Sequence, residues 1–209
     1  SLFREKLNTI QAIKTAFSDR SYTLLFFGFF VCGFHVQFIQ THLPAYITDE
    51  GLAPIIGAWS LALIGLFNIG GSFFSGWSGQ IYSKPKLLSG IYASRAVVIA
   101  LFIFTPLSGT SVLVFSAAMG ILWLSTVPLT TGLIAQTQGL KFLSTLAGLV
   151  FFSHQVGGFL GAWLGGRLYD ITGNYEAMWI AAILFGLAAT IIHLPIKEQP
   201  GKLARAEIN

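Results

Sequence analysis

The sequence predicts an all-α integral membrane protein of six transmembrane helices arranged as two inverted three-helix repeats, and three observations carry that prediction. Hydrophobic residues fill 54% of the 209 positions and charged residues only 10%, where an ordinary soluble domain carries about 25% charged. The chain contains charge-free runs long enough to cross a bilayer, which takes roughly 20 apolar residues. Its basic residues gather at alternate span ends, as the loops of a multi-pass protein require.

Between successive Asp, Glu, Lys or Arg residues the qualifying runs cover 21–48, 51–83, 96–140, 142–166 and 177–196, with lengths of 28, 33, 45, 25 and 20 residues. The longest is interrupted by Thr105-Pro106-Leu107-Ser108-Gly109-Thr110-Ser111, a turn-forming segment that lets the chain leave one helix and start another. The predicted spans are therefore 21–44, 54–82, 87–106, 111–134, 141–167 and 175–195. They form one bundle over 21–196, followed by a tail over 197–209. Arg95 alone is charged well inside a span.

With the first residue inside, the inner loops and tails collect Arg4, Lys6, Lys14, Arg20, Lys84, Lys86, Lys141, Lys197, Lys202 and Arg205, and the outer loops keep Arg167. Both termini are thus expected in the cytoplasm. The formal charge of +4 is a topology signal of a chain whose partner is the lipid bilayer, with no nucleic acid implied. A lone cysteine, Cys32, excludes an intrachain disulfide.

Residues 1–20 read as a cytoplasmic amphipathic linker, because Phe3, Leu7, Ile10, Ile13 and Phe17 recur at helical spacing opposite Arg4, Lys6 and Lys14. Ser1 stands where an initiator Met would, which fits the C-terminal piece of a longer protein.

An internal match supports the repeat. At an offset of 87, Gly70, Gly71, Gly79 and Tyr82 of the second span fall on Gly157, Gly158, Gly166 and Tyr169 of the fifth. The two spans run in opposite directions, as inverted repeats demand. The competing reading is that small residues let membrane helices pack closely and the identities coincide by chance. On either reading, Gly157, Gly161 and Gly165 form a smooth stripe that a neighbour can approach or slide against.

The segments Gly33-Phe34-His35-Val36-Gln37-Phe38-Ile39-Gln40-Thr41-His42-Leu43-Pro44 and Ser153-His154-Gln155-Val156-Gly157-Gly158-Phe159-Leu160-Gly161, continued by Tyr169-Asp170-Ile171-Thr172-Gly173-Asn174-Tyr175, resemble a bacterial, monocarboxylate-transporter-like branch of the major facilitator superfamily. The resemblance covers helices seven to twelve of that family's twelve. It implies the C-terminal half of a secondary active carrier, a symporter or antiporter of the bacterial inner membrane. Such a carrier works by alternating access with an N-terminal six-helix half. Gly76-Trp77-Ser78-Gly79-Gln80-Ile81-Tyr82-Ser83-Lys84 is similar to the family's cytoplasmic gating motif. Gln80 stands where that motif has its acid and Ile81 where it has an arginine, which implies an uncharged brace here. The eukaryotic monocarboxylate carriers place an Asp and an Arg in the eighth helix, and the matching span 54–82 has neither.

Polar groups at bilayer depth are costly, so each is a candidate for function. His35 and His154 lie about 14 and 13 residues into their spans, near the midplane where such carriers bind solute. Both could face one cavity and carry a proton, or they could be hydrogen-bonded packing residues. Arg95 lies roughly 13 Å from its span's start, within reach of either the cavity, as an anchor for a carboxylate, or the surface by snorkelling. Gln37, Gln40, Asn68 and Gln155 could meet solute or bond neighbouring helices, while Gly76, Gln80, Lys84 and Asp170 belong to the gating ends. His42 and His193 read as interfacial residues.

No convergent acids, nucleophile with its base, or zinc spacing of His35 and His42 suggests an enzyme, a metal or a cofactor. The alternative to a carrier half is a stand-alone six-helix membrane protein, either a homodimeric carrier or a nonenzymatic interaction module.

Overall fold

A computed structural model of the chain describes residues 8–208 and is helical throughout its ordered elements. A short helix α1 (Thr9–Phe17) precedes α2 (Arg20–Asp49), α3 (Pro54–Ile81) and α4 (Lys84–Phe104). The second set is α5 (Gly109–Leu122), α6 (Thr126–Gln138), α7 (Leu143–Thr172) and α8 (Glu176–His193), and α9 (Lys202–Ile208) closes the chain. Taking α5 and α6 as two halves of one span, six helices are long and apolar enough to cross a membrane.

The helix starts follow local chemistry. Ser108 and Ser111 cap the first turn of α5 reciprocally, and Pro54 and Pro85 occupy first-turn positions of α3 and α4, where a missing N–H costs nothing. At the far end of α7, Gly173 adopts φ 73°, a left-handed conformation that lets its amide close on the Tyr169 carbonyl at 2.8 Å.

The spans pack chiefly as α2 against α7, α3 against α5, and α4 against α8. An inverted repeat that superposes α2–α4 on α5–α8 exchanges the first two pairings and maps the third onto itself. The packing therefore has the pseudo-symmetry expected of half a major facilitator fold. Gly71 of α3 sits on the Ile121 backbone of α5, and Gly157 and Gly161 of α7 sit on the Phe30 and Phe34 backbones of α2. The residue-for-residue match is looser than the offset suggests, since Gly70 faces open space where Gly157 is tightly packed.

The spans depart from the sequence reading at several ends, α7 running on to Thr172, and inside the fourth. Helix α2 continues through Pro44 to Asp49; a membrane helix tolerates the proline because neighbours satisfy what it frees, and Pro44 lies 3.2 Å from the position a Cβ would take on Gly57. The fourth span is broken at Trp123–Ser125. Pro128 explains this break: in a continuous helix its ring would collide with the carbonyl of Leu124, so α6 starts afresh with the proline in its first turn.

On one face of the bundle α1 and α9 pack together against the span ends. In α1 the buried positions are Ala12 and Ala16, with Ile13 half-buried, whereas Ile10 and Phe17 are exposed. Within the apolar stripe Ile10 faces outward, Ile13 packs against the core, and the Phe17 ring meets those of Tyr22 and Phe26 edge-on at 5.2 Å. Phe3 and Leu7 lie outside the described residues. The tail is ordered rather than a free end. Leu203 and Ala204 are buried, Glu198 receives the Lys84 amide at 3.0 Å and pairs with its ammonium at 3.6 Å, and Glu207 accepts from the amides of Leu140 and Lys141, each at 2.9 Å.

Candidate functional site

The break in the fourth span exposes backbone groups at mid-membrane depth, where an unsatisfied N–H or C=O costs several kcal/mol. Side chains from three spans service it. Asn68 of α3 accepts the Leu124 amide at 3.0 Å and is itself held by the Ser72 hydroxyl at 3.1 Å. Ser75, also of α3, donates to the Ser125 carbonyl. From α4, Arg95 donates through Nε to the Leu122 carbonyl at 3.2 Å, and through Nη2 to that carbonyl at 2.6 Å and to the Trp123 carbonyl. From α2, Cys32 is hydrogen-bonded to the Thr126 hydroxyl at 3.2 Å and lies 3.7 Å from Arg95 Nη2.

Arg95 is thus completely buried and takes neither of the positions its depth suggested, the membrane surface or an open cavity. Its guanidinium carbon lies 5.3 Å from the centre of the Tyr92 ring. Nη1 is enclosed without a partner. Around this cation stand Tyr92 and Cys32, with His154 beside Cys32. Among the described residues no carboxylate contacts it, so carbonyls, the thiol and the negative end of the α5 dipole offset its charge.

His35 and His154 do not share a cavity. His35 is fully buried and turned toward α8, where its Nε2–H donates to the Ala182 carbonyl at 2.7 Å. His154 is half-buried on α7, with its ring 5.0 Å from that of Phe29 and its Nδ1 3.3 Å from the Gln155 amide oxygen. Helical phase separates them: the two residues stand on faces of different helices that point to different neighbours.

The structure does bring Gln37 and Gln155 together. With Gly158, Phe159, Ala162 and Trp163 they line an open groove between α2 and α7, and Gln37 also donates to the Thr41 hydroxyl at 3.1 Å. Two amides with aromatic walls on an otherwise apolar face can bind a small polar solute. The groove exists because the glycine stripe lets α7 lie close to α2: a Cβ at Gly157 or Gly161 would overlap the carbonyl oxygens of Phe30 or Phe34, and one at Gly165 would overlap the His42 ring.

His42 and His193 are packing residues and not interfacial ones. His42 donates to the Ala162 carbonyl at 2.8 Å, and His193 to the Ala189 carbonyl at 2.7 Å while stacking on Tyr92 at 4.9 Å. Both are buried because glycines face them, Gly165 for His42 and Gly28 for His193.

The gating ends are arranged differently from one another. Gly76 faces Pro128 of α6, Gln80 is exposed, and Lys84 holds Gln136 at 2.9 Å together with Glu198. An ion pair to the tail is therefore present where the sequence suggested an uncharged brace. The acid that supplies it comes from beyond the last span, outside the motif. At the opposite face Asp170 is exposed, and the flanking Tyr169 and Tyr175 stack at 4.6 Å. Burial first, and then the nearby Asp49, Tyr169 and Asp170, hold the Tyr175 phenol above its ordinary range.

Ser75, Tyr92 and Thr126 were not singled out by sequence. Pro128 was the available signal, since a proline in the middle of a span requires partners for the backbone it frees.

The model of the Major Facilitator Superfamily matches residues 2–162. The chain is 28% identical over 182 residues to an uncharacterized MFS-type transporter, YcxA, of Bacillus subtilis, covering 84% of this chain and 44% of the relative. It is 32% identical over 167 residues to monocarboxylate transporter 13 of Rattus norvegicus, covering 78% of this chain and 38% of the relative. The Bos taurus protein of the same name is 29% identical over the same shares. The chain spans less than half the length of these curated relatives.

Proposed function

Because this chain belongs to the Major Facilitator Superfamily, we propose that it forms one half of a secondary transporter for a small organic anion, such as a monocarboxylate. It would work by alternating access with an N-terminal six-helix half. The chain is an integral, multi-pass membrane protein of a transporter family and not an enzyme.

The observation that carries the proposal is the groove on α2 and α7. Gln37 stands 17 residues beyond Arg20 in a 30-residue helix, and Gln155 stands 12 beyond Leu143 in another of 30. Both amides thus lie near half-depth, about 26 and 18 Å from the helix starts. The groove is one-walled, as a site shared with a second half would be. His154, hydrogen-bonded to Gln155, is the residue we assign to proton coupling, since an imidazole changes charge near physiological pH. The monocarboxylate reading is supported by the names of two relatives. The exposed basic side chains of Lys14, Arg20, Lys86, Lys141, Lys197, Lys202 and Arg205 lie on the α1/α9 face. They support a cytoplasmic placement of that face in a bacterial inner membrane.

The test is uptake by the full-length protein in liposomes, with radiolabelled L-lactate and acetate against a neutral sugar. Saturable carboxylate uptake that falls at least tenfold in Gln37→Ala/Gln155→Ala is expected. Uptake of the sugar alone would refute the anion reading, and no uptake above empty liposomes for any solute would refute the transporter.

A further inference from the structure

A buried arginine in a membrane span invites the reading of a solute anchor, yet Arg95 is fully enclosed and its Nε and Nη2 are engaged by the Leu122 and Trp123 carbonyls. We propose that Arg95 is a positioning residue: it locks the angle between the two halves of the fourth span and does not touch the solute. The proposal rests on the transport reading for its consequence, though not for its geometry.

The lock follows from what the break leaves behind. In a continuous helix the Leu122 and Trp123 carbonyls would receive the amides of Thr126 and Val127. Pro128 forces the chain to restart, and the amides that remain make tighter turns, Trp123 to Gly120 at 3.1 Å and Val127 to Leu124 at 2.9 Å. The two orphaned carbonyls therefore need donors in a place without bulk water. A guanidinium supplies them in a fixed fork, and its positive charge suits the C-terminal end of α5. The same nitrogen that holds Trp123 lies 3.7 Å from Cys32, which in turn holds Thr126, the first residue of α6. One side chain thus ties the end of α5, the start of α6 and the middle of α2.

The angle at this joint matters because α5 and α6 share α3 and α4 as neighbours but differ in what holds their far ends. Helix α5 packs chiefly on α3. The far end of α6 is fastened to the α1/α9 face through Gln136 with Lys84 and Glu198, Thr137 with the Gly201 amide at 2.7 Å, and Gln138 with Asp19 at 2.9 Å. A change of angle at 123–125 would therefore carry that face with it. Arg95 sets this angle from behind, closed off from solute by complete burial and by the Tyr92 ring.

Double-mutant analysis of the full-length protein tests the lock without needing the solute. Pro128→Ala lets the Thr126 and Val127 amides reach the orphaned carbonyls, so Arg95→Gln should lower the thermal midpoint far less in that background than alone. Additive losses would overturn the proposal. Alkylation of Cys32 by N-ethylmaleimide, read by mass spectrometry of its peptide, should be at least tenfold faster in Arg95→Gln than in wild type. Arg95→Lys, which keeps charge but not the fork, should fall between them. Equal labelling in all three would also overturn it. Where L-lactate uptake is measurable, Arg95→Lys should lower the maximal rate and leave KM within twofold. A raised KM with unchanged labelling would make Arg95 an anchor instead. Failure of uptake in wild type would leave the stability and labelling results readable.

Discussion

The side-chain oxygen of Asn68 reaches from α3 to the Leu124 amide at 3.0 Å, and Leu124 is the middle residue of the break in the fourth span. A short polar side chain on one helix thereby completes the backbone of another, in the way that membrane proteins must pair groups that water cannot reach.

Asn68→Leu removes the acceptor and keeps the volume, leaving the Leu124 amide alone. The expected cost is about 1–3 kcal/mol, seen as a lower thermal midpoint in detergent. Asn68→Asp keeps an acceptor at the same place and should recover part of the loss when the carboxyl is protonated. If Asn68→Leu melts with wild type, the interaction has no weight.

The glycine stripe gives a sharper contrast. Gly157 and Gly161 press against the carbonyl oxygens of Phe30 and Phe34, which cannot yield without moving α2. Gly157→Ala and Gly161→Ala should each cost at least about 1–3 kcal/mol through overpacking, read as a lower thermal midpoint and a lower yield of monodisperse protein. Gly148→Ala and Gly70→Ala, which would meet nothing within 4 Å, should be neutral or slightly stabilising because alanine favours the helix. Equal behaviour of the two sets would contradict the packing.

How far the sequence foretold these features depends on which physical signal each one uses. Span number was legible because length and the absence of charge are properties of a run, whatever its neighbours. The glycine stripe was legible because spacing alone puts Gly157, Gly161 and Gly165 on one face. The partners were not legible, since which helix meets that face is decided by the whole bundle. Arg95 shows the same division: its depth follows from counting, but its partners are carbonyls freed by Pro128, 33 positions further along the chain. The choice between a shared cavity and packing stayed open for the two midplane histidines for a related reason. His35 and His154 share a depth, and depth fixes no direction around a helix axis.

The ordered tail leads to a third prediction. Glu207 accepts two amides in the turn between α6 and α7, and the buried Leu203 and Ala204 hold α9 beneath it. Glu207→Ala should free that turn, so trypsin should cut after Lys141 several-fold faster than in wild type. Glu198→Gln should matter less, because its ion pair to Lys84 is partly exposed and such pairs contribute at most about 1 kcal/mol. A reversed order of sensitivity would show that the ion pair, not the carboxylate on the turn, fastens this face.

The two midplane histidines should part company when each is removed. His35 is fully enclosed and donates a hydrogen bond to the Ala182 carbonyl. His35→Ala opens a cavity and removes its hydrogen bond to α8, although the Ala182 carbonyl keeps its helical partner, so stability should fall by about 2–5 kcal/mol. Whatever protein survives should keep the pH profile of uptake. His154 is half-buried and hydrogen-bonded to Gln155, which lines the groove. His154→Ala should leave insertion and thermal midpoint nearly unchanged while flattening uptake across pH 5–8, the interval in which an imidazole ordinarily changes charge. The measurement is initial-rate uptake by the full-length protein over that pH range, alongside a melting curve for each variant. A His154→Ala protein that transports with the wild-type profile would remove this imidazole from proton coupling. A His35→Ala protein that melts normally and loses the profile would assign the proton to His35 instead.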